Sequence, residues 1–316
     1  MRRDVSGIIN RSRYKTQNAR GPKEVKVAIF SRTPLAAAPW ELYKALKKYT
    51  LLDVSLINGT ARYNDGRTFP HHLLLTSPNG HAMQVLKESD LWHVHNYLVP
   101  QLIVTKEQQK VIAQFHSLPR LGNWKQLMDF ADRCYTIKQP NQEKEYKLKG
   151  LPNIIDPDEY RPVRRRMPIK IAFAPSNRMP IGNPASTGYN EVRTILDGVA
   201  RKRDVEIVWI EGQWYEKNLQ MKQQSHILID DVVTGNWHRT SLEGACLGCV
   251  VLNKVMKAPF LYATLATLEE RLLWLVDNPS VLNDFQERSR LWVLQHWHAM
   301  DRIKEYISAY EGLLNP

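Results

Sequence analysis

The chain has 316 residues, of which 43% are hydrophobic and 24% are charged, a composition typical of a soluble globular protein of about two domains. No segment approaches the roughly 18 uninterrupted apolar residues that a membrane-spanning helix needs, and no apolar signal-peptide core follows Met1. The three cysteines exclude a disulfide framework and predict a reducing, cytoplasmic location.

Positive charge is in excess, because 44 lysines and arginines stand against 32 acidic residues and give a net charge of +12. A site for one nucleotide diphosphate needs about two or three cations. The surplus therefore predicts a polyanionic partner, either nucleic acid or an anionic membrane surface. The alternative is a basic, solvated surface without a specific partner. Residues 1–24 are rich in lysine and arginine and are interpreted as a flexible basic arm.

Strands alternate with helices from residue 25 onward. The run Val25–Phe30 is apolar and rich in β-branched residues, which predicts a buried parallel strand. An amphipathic helix follows. Its apolar face is formed by Trp40, Tyr43, Leu46 and Tyr49, and its polar face by Glu41, Lys44, Lys47 and Lys48. Further strands are predicted at 52–57, 91–95 and 111–115.

The alternation restarts after Gly150–Asn153. Strands are predicted at 169–173, 205–210, 227–230 and 250–252, and helices at 190–201 and 241–247. Two successive sets of this kind predict an α/β protein with two Rossmann-like, doubly wound domains. The predicted domains are 25–152 and 153–300, and a C-terminal helix at 301–316 is expected to pack back on the first domain.

Five local patterns carry a resemblance to a known family. They are the small-residue loop in Phe30–Trp40, Asp90–Asn96, Gln114–Ser117, the crossover Leu151–Pro162 and the segment Ser241–Val251. In this order the chain resembles the retaining GT-B glycosyltransferases, especially family 4. The resemblance implies two domains that face a central cleft, with an N-terminal acceptor side and a C-terminal domain that binds a nucleotide sugar. A UDP-sugar is the expected donor, and no cofactor is implied.

In such an enzyme without a metal, cations and helix N-termini stabilise the departing diphosphate. Arg178, in the loop after the first strand of the second domain, is the first candidate, and a surface arginine without a ligand is the alternative. The family often has a lysine a few residues further on, but none occurs here before Lys202, and Arg239 is the proposed substitute. The backbone N–H groups of Thr240, Ser241 and Leu242 are additional candidate ligands.

Glu243 is the predicted ribose ligand. At the start of a helix its carboxylate can accept hydrogen bonds from both ribose hydroxyls, and the alternative is a helix cap. The family has a second glutamate eight positions earlier, where this chain has Gly235. The group expected to hold the sugar hydroxyls is therefore absent, which leaves the transferred sugar open.

Histidines are the candidate catalytic residues. His116 follows a first-domain strand and is predicted to hydrogen-bond a donor-sugar hydroxyl or to position the acceptor, with a structural histidine as the alternative. His93 and His95 share one face of their strand, so one of them is expected only to anchor a loop. His95 lies nearer the strand's end and is the second catalytic candidate. The adjacent acids Asp230 and Asp231 are interpreted as turn residues, and no metal is expected.

Three sources of positive charge are candidates for contacting the acceptor. They are the basic arm, the helix lysines Lys44, Lys47 and Lys48, and the crossover arginines Arg164, Arg165 and Arg166. If they share a face with the cleft, they could hold a polyphosphate backbone while a modified base enters the site. Such an enzyme would glycosylate a hydroxymethylated pyrimidine in DNA, for example viral DNA in the host cytoplasm.

Two other functions remain open from the sequence. Transfer to a lipid-linked or cell-envelope acceptor at a membrane surface predicts exposed apolar residues beside the lysines of the 40–49 helix. A nucleic-acid-binding protein on a degenerate transferase fold is the non-enzymatic alternative. Trp237, in a loop beside the predicted donor site, is a candidate to stack on a base or sugar. Cys246 and Cys249 are expected to pack beneath that site rather than to act as thiols.

Overall fold

The computed structural model describes residues 25–63, 67–76, 80–117, 124–175, 178–183 and 186–315, with the side chains of residues 140 and 141 left aside. The predicted basic arm at 1–24 lies outside the described residues. Within them the chain forms two parallel β-sheets, and each sheet has buried apolar residues on both of its faces. The predicted α/β class with two doubly wound domains is confirmed.

The first sheet has seven strands in the order β3-β2-β1-β4-β5-β6-β7, and all neighbouring pairs are parallel. Its strands are β1 (Lys26–Ser31), β2 (Asp53–Asn58), β3 (Leu73–Leu74), β4 (Leu91–His95), β5 (Lys110–Phe115), β6 (Arg133–Ile137) and β7 (Gly150–Leu151). The helices are α1 (Ala38–Tyr49), α2 (His81–Glu88), α3 (Pro100–Thr105), α4 (Trp124–Phe130) and α5 (Pro140–Tyr146). We call this unit the N-terminal domain.

The second sheet has five parallel strands in the order β12-β11-β10-β8-β9. They are β8 (Ile169–Phe173), β9 (Val205–Trp209), β10 (Ile227–Ile229), β11 (Val250–Asn253) and β12 (Leu261–Tyr262). The helices are α6 (Tyr189–Lys202), α7 (Tyr215–Gln224), α8 (Arg239–Cys246), α9 (Leu268–Asp277) and α10 (Pro279–His296). We call this unit the C-terminal domain.

The last helix, α11 (Ala299–Leu314), packs on the first sheet although it follows the second. Its residues Ile303, Tyr306 and Tyr310 are buried in the same core as Val27 and Ile29 of β1. Burial of an apolar side chain contributes about 1.5–3 kcal/mol. Helix α11 is therefore an integral part of the N-terminal core.

Helix α1 differs from the sequence expectation in which residues it buries. Leu42 and Leu46 are fully buried, whereas Tyr43 and Tyr49 are only partly buried at the edge of the core. Glu41, assigned from the sequence to the polar face, is 1% exposed. The assignment of Glu41 to the polar face is therefore wrong. Helical periodicity depends only on neighbouring residues, and two polar partners of Glu41 belong to the other domain.

The loop between β1 and α1 contains strained backbone. Leu35, Ala36 and Ala37 have φ angles of 46°, 51° and 65°, in the left-handed region that disfavours residues with a Cβ atom. The amide of Ala36 donates a hydrogen bond to the hydroxyl of Tyr63 over 2.8 Å. Three successive residues with a Cβ atom thus keep a conformation that glycine would adopt without strain.

Replacing Ala36 with glycine is expected to raise the free energy of unfolding by about 0.5–1 kcal/mol. Relief of left-handed strain gains about 1–2 kcal/mol, and the greater flexibility of glycine in the unfolded chain offsets about 0.5–1 kcal/mol. Ala36 is exposed, so the substitution leaves no cavity. Urea unfolding measures the change. The control Ala45→Gly, inside α1, should lower stability by about 1 kcal/mol or more. A lower free energy of unfolding for both variants would show that the left-handed backbone at Ala36 is not strained.

Candidate active site

Each of the two sheets has one edge at which a ligand is expected to bind. Strand β1 lies between β2 and β4, and β8 lies between β9 and β10, so each sheet has a point where the strand order reverses. Open α/β sheets bind ligands beyond the carboxyl ends of the strands at such points. Loops from these edges contact each other: the side chain of Gln139, after β6, donates a hydrogen bond to the carbonyl of Trp237, after β10.

On the N-terminal side, His95 and His116 are direct partners. His95 ends β4, and His116 follows the neighbouring strand β5, so parallel pairing brings them to the same edge. The distance from His95 Nδ1 to His116 Nε2 is 2.8 Å. Asn96 holds the geometry, because its Oδ1 accepts a hydrogen bond from the His116 amide at 2.6 Å and its Nδ2 donates to Ser117 Oγ at 3.0 Å. The structure thus unites the two histidines chosen from the sequence.

His93 extends this pair into the protein interior. Its ring stacks on His95 with a centroid distance of 4.5 Å, and its Nδ1 lies 2.8 Å from the hydroxyl of Tyr310 in α11. Burial, with a smaller contribution from His116, lowers the pKa of His93 to about 3. Burial likewise lowers the pKa of His116 to about 3 and that of His95 well below its usual value. All three imidazoles are therefore neutral at physiological pH.

These neutral histidines predict a loss of stability in acid. Because the folded-state pKa of His93 is lowered from 6.5 to about 3, the unfolded chain binds the extra proton between these values, and stability falls as the pH falls below 6.5. The expected slope is about 1.4 kcal/mol per pH unit for one histidine. His93→Asn should remove about this much of the slope between pH 6 and 4, measured by urea unfolding. The exposed control His81→Asn should leave it unchanged, and equal slopes for His93→Asn and wild type would contradict the assignment.

On the C-terminal side, a polar cluster joins the end of β10 to the start of α8. Asp230 accepts hydrogen bonds from the backbone amide of His238 at 2.9 Å and from Ser241 Oγ at 2.5 Å, and Asn253 Nδ2 donates to Ser241 Oγ at 3.0 Å. His238 Nδ1 lies 3.1 Å from Asp230 Oδ1. Partial burial disfavours the charged imidazole, but the Asp230 carboxylate outweighs this effect and raises the pKa of His238 to about 9.

His238 is the residue that sequence reasoning missed on this side. Its side chain is 44% exposed, and it is positively charged at neutral pH directly before the first residue of α8. The resemblance did not single it out, because the segment that carries the resemblance begins at Ser241. The sequence feature that could have indicated His238 is the acidic residue Asp230, eight positions earlier, with which it pairs.

Arg178 lies at the same sheet edge, in the loop after β8. Its guanidinium forms two hydrogen bonds with Glu211, of 3.1 and 3.0 Å, and stacks over Tyr189 at 4.8 Å. The side chain is 67% exposed. An exposed ion pair contributes little to stability, so Arg178 can exchange Glu211 for a phosphate without a large penalty.

Arg239 and Glu243, in contrast, are buried partners in α8. Glu243 Oε1 accepts a hydrogen bond from Arg239 Nε at 2.7 Å, and Oε2 accepts one from Lys222 Nζ at 2.5 Å. Burial opposes ionisation of Glu243, but the charges of Lys222 and Arg239 outweigh it and lower its pKa. Both carboxylate oxygens are thus engaged within the protein, so the ribose role of Glu243 stays a prediction that requires this pairing to open.

The same arginine connects the two domains. Arg239 donates hydrogen bonds to the carbonyl of Ala37 at 2.9 Å and to the hydroxyls of Tyr160 and Tyr215 at 2.8 and 3.0 Å. Tyr215 in turn donates to Glu41 of α1 at 2.7 Å, and Glu41 lies 3.4 Å from Arg239. The two buried carboxylates of this interdomain network face the buried cations Arg239 and Lys222, and the half-buried Lys44 lies 3.1 Å from Glu41.

The side chains of other predicted donor-side residues serve the protein interior. That of Leu242 belongs to the apolar core with Cys246 and Cys249, and the Ser241 hydroxyl is occupied by Asp230. The Ser241 amide donates a hydrogen bond to the carbonyl of His238 at 3.1 Å, and a diphosphate contact of the α8 amides stays a prediction. Trp237 is 4% exposed and packs edge-to-face against Phe260 and Trp297. The proposal that Trp237 stacks on a base or sugar is therefore wrong, because its ring is enclosed by other aromatic rings.

The predicted basic surfaces are partly neutralised. Lys44 pairs with Glu159, and Lys48 pairs with Asp156, whereas Lys47 is exposed. These pairs hold α1 against the crossover between the domains. Lys44 and Lys48 thus connect α1 to the crossover. Contact of the α1 lysines with an acceptor stays a prediction.

The crossover arginines divide in the same way. Arg165 donates hydrogen bonds to the carbonyls of Leu247 and Gly248 at 2.6 and 2.9 Å, which fastens the crossover to the end of α8. Arg164 and Arg166 are exposed. Of the three arginines, only these two are oriented so that a polyanion could reach them.

Among the described residues, one group has ligand atoms spaced for a metal ion. It consists of Asp156, Asp158 and His298. Asp156 already accepts hydrogen bonds from Lys48 at 2.6 Å and Tyr49 at 2.7 Å. The group lies at the α1–crossover contact and not at either strand-order reversal, so no step of the chemistry is assigned to it.

Comparison with known proteins identifies the architecture. An α-glucosyltransferase in complex with UDP and a 13-mer DNA containing a central A:G mismatch superposes with a TM-score of 0.64 at 10% identity, covering 90% of this chain and 99% of that one. An α-glucosyltransferase complex with UDP and a 13-mer DNA containing an HMU base gives 0.61 at 11% identity, with the same coverages of 90% and 99%.

A sucrose-phosphate synthase from Thermosynechococcus elongatus gives a TM-score of 0.60 at 12% identity, covering 92% of this chain and 99% of that one. No protein-family model and no curated protein sequence matches the chain. The similarity is therefore one of fold, and it extends over nearly the whole length of each structure.

Proposed function

We propose that this chain, which has the fold of the GT-B glycosyltransferases, transfers a sugar from a UDP-sugar to a hydroxymethylated base in DNA. The observation that carries the proposal is that loops from the carboxyl edges of the two sheets contact each other, through Gln139 and Trp237. One edge has the neutral His95–His116 pair, and the other has the cations Arg178 and His238. Structural neighbours bound to UDP and DNA support both the donor and the acceptor.

The donor's diphosphate is assigned to the C-terminal edge. Negative charge develops on the diphosphate as the glycosidic bond breaks, and preorganised cations stabilise that charge. His238 carries its charge at neutral pH because Asp230 raises its pKa to about 9, and it stands at the N-terminus of α8, where the helix dipole adds to the attraction. Arg178 supplies the second cation by leaving Glu211.

The neutral histidines are assigned to the sugar and the acceptor. A neutral imidazole both donates and accepts hydrogen bonds, so His116 can bind a donor-sugar hydroxyl or orient the acceptor hydroxyl without placing a positive charge beside the oxocarbenium-like sugar. His95 fixes the orientation of the His116 ring through their hydrogen bond of 2.8 Å. Retention of the anomeric configuration and independence from metal are proposed from the resemblance to family 4.

The acceptor is assigned to nucleic acid rather than a membrane on the basis of α1. Transfer at a membrane surface predicted exposed apolar residues beside the lysines of this helix. Trp40, Tyr43 and Tyr49 are instead packed against the N-terminal core, and Lys44 and Lys48 are paired with acids. Among the described residues, no helix is long and apolar enough to cross a bilayer.

The test is incubation of the protein with radiolabelled UDP- and GDP-sugars, with unmodified DNA or with DNA carrying hydroxymethylated pyrimidines. Label is expected in the hydroxymethylated DNA with a UDP-sugar and not in unmodified DNA. Arg178→Gln and His238→Gln should weaken UDP binding by about tenfold each, since each removes one charge-assisted contact, whereas Arg193→Gln should not. UDP-sugar hydrolysis without labelled DNA would reject the DNA acceptor. Absence of UDP binding would reject the UDP-sugar donor, and absence of binding to both UDP and GDP would reject the transferase.

A further inference from the structure

A cavity of about 730 Å³ opens at the carboxyl edge of the first sheet. Residues that follow β1, β2 and β4 line it, among them Arg32, Arg62 and Tyr97. The cavity therefore lies where the strand order of the first sheet reverses, which is the place where open α/β sheets bind ligands. Its volume is within the range of roughly 300–1,000 Å³ that small-molecule sites occupy.

Two arginine–tyrosine pairs line this cavity. The guanidinium of Arg32 lies over the ring of Tyr97 at 5.8 Å, and that of Arg67 lies over the ring of Tyr63 at 5.1 Å. Guanidinium groups bind phosphate oxygens in a bidentate manner. Aromatic rings beside such arginines are what single-stranded nucleic acids stack on. The lining thus combines the two chemistries that recognise a nucleotide unit.

The cationic charge of the cavity is available to a ligand. Arg32 and Arg62 are exposed, and neither forms an ion pair within the described part of the chain. Of the lining residues that the structure describes, none is acidic. This contrasts with Lys44 and Lys48, which are neutralised by acids.

The arrangement of the cavity wall is maintained by close backbone contacts. A Cβ atom on Gly59 would approach the carbonyl oxygen of Arg32 to 2.8 Å, so glycine allows the loops after β1 and β2 to pack together. Tyr63 accepts a hydrogen bond from the amide of Ala36, in the loop whose Ala37 carbonyl binds Arg239 of the C-terminal domain. The cavity therefore borders the interdomain cleft.

We propose that this cavity receives a nucleotide of the nucleic-acid acceptor, with Arg32 and Arg62 on the phosphodiester and the tyrosine rings beside the base. The proposal rests on the proposed function and specifies how its acceptor is bound. It moves the acceptor phosphate contact from the lysines of α1 and the crossover arginines to Arg32 and Arg62, which are not adjacent in the sequence. The donor diphosphate, by contrast, belongs to Arg178 and His238 on the other sheet.

The proposal is tested with a fluorescein-labelled oligonucleotide that carries one hydroxymethylated pyrimidine, as a single strand and as a duplex. Its affinity is measured by anisotropy at several salt concentrations without donor, and UDP affinity is measured by calorimetry. Arg32→Gln and Arg62→Gln should each weaken DNA binding by about tenfold and reduce the slope of log affinity against log salt by about one. UDP affinity should not change.

Arg193→Gln, an exposed arginine on α6, is the matched control, and Arg164→Gln and Arg166→Gln test the competing surface. A second probe replaces the phosphodiester beside the modified base with an uncharged methylphosphonate. Wild type should bind this probe about tenfold more weakly, whereas Arg62→Gln should lose much less on the same change, because the interacting pair is already broken.

Three results would overturn the proposal. If label enters DNA but the cavity variants bind DNA like wild type, the proposed function stands and the cavity assignment fails. A loss of UDP affinity in Arg32→Gln or Arg62→Gln would assign the cavity to the donor. If wild type binds UDP but neither binds nor labels the oligonucleotide, the DNA acceptor and the cavity assignment fail together.

Discussion

Replacing Arg239 with methionine is expected to lower the free energy of unfolding by about 3–5 kcal/mol. The substitution roughly preserves side-chain volume but removes the cation that lies between Glu41 and Glu243, which keep only Lys44 and Lys222 as ion-pair partners. It also removes the hydrogen bonds from Arg239 to Ala37 and to the hydroxyls of Tyr160 and Tyr215. The loss is measured by urea unfolding, with Arg193→Met as the exposed control that should change stability by less than about 0.5 kcal/mol.

This prediction separates two roles for Arg239. A buried network partner affects stability, and a donor ligand affects UDP affinity. If Arg239→Met unfolds at the wild-type urea concentration but no longer binds UDP, the diphosphate role predicted from the sequence is correct and the structural role assigned here is not. Lys222→Met should resemble Arg239→Met, since Lys222 holds the other oxygen of Glu243.

Replacing His116 with alanine is expected to slow sugar transfer by about 10²–10⁴-fold without weakening UDP binding. Correctly placed proton-transferring or hydrogen-bonding groups contribute this much to catalysis, and His116 is assigned to the sugar and acceptor rather than to the diphosphate. The measurement compares single-turnover transfer to hydroxymethylated DNA with calorimetric UDP affinity. His81→Ala, at an exposed histidine of α2, is the control and should transfer at the wild-type rate.

A positioning variant refines the same test. Asn96 has a φ of 60°, so Asn96→Gly keeps the left-handed backbone and removes only the amide that clamps His116. It should slow transfer less than His116→Ala does. Wild-type transfer by His116→Ala would remove this histidine from the mechanism and leave it a structural partner of His95.

The fold was accessible from the sequence because its central strands are buried on both faces. Such strands appear as short apolar runs, and β1, β4, β5 and β8 lie where these runs predict them. Strand β6 was not predicted, since the polar residues Arg133 and Thr136 interrupt its apolar pattern. The burial of Glu41 also could not be predicted from the sequence, because the hydroxyl that binds it belongs to Tyr215, 174 positions away.

The candidate site was predictable where a motif fixes the geometry. The histidine and asparagine of His95-Asn96 and the His116-Ser117 segment end neighbouring parallel strands, so their proximity follows from the topology. The burial of Arg239 and Glu243 did not follow from their motif, because their partners come from α7 and from the other domain. The arginines of the first-sheet cavity are dispersed in the sequence and meet only when the loops after β1 and β2 pack together.

The return of α11 to the first sheet has a consequence for synthesis on the ribosome. Tyr310 contacts His93 across 217 positions, and Tyr306 binds the carbonyl of Pro152 across 154 positions. At roughly 5–20 residues per second, the N-terminal domain waits on the order of 10–30 seconds after Leu151 for the helix that completes its core. During that interval its apolar face is open to chaperones, and the order of translation therefore makes the C-terminal domain the first one able to finish folding.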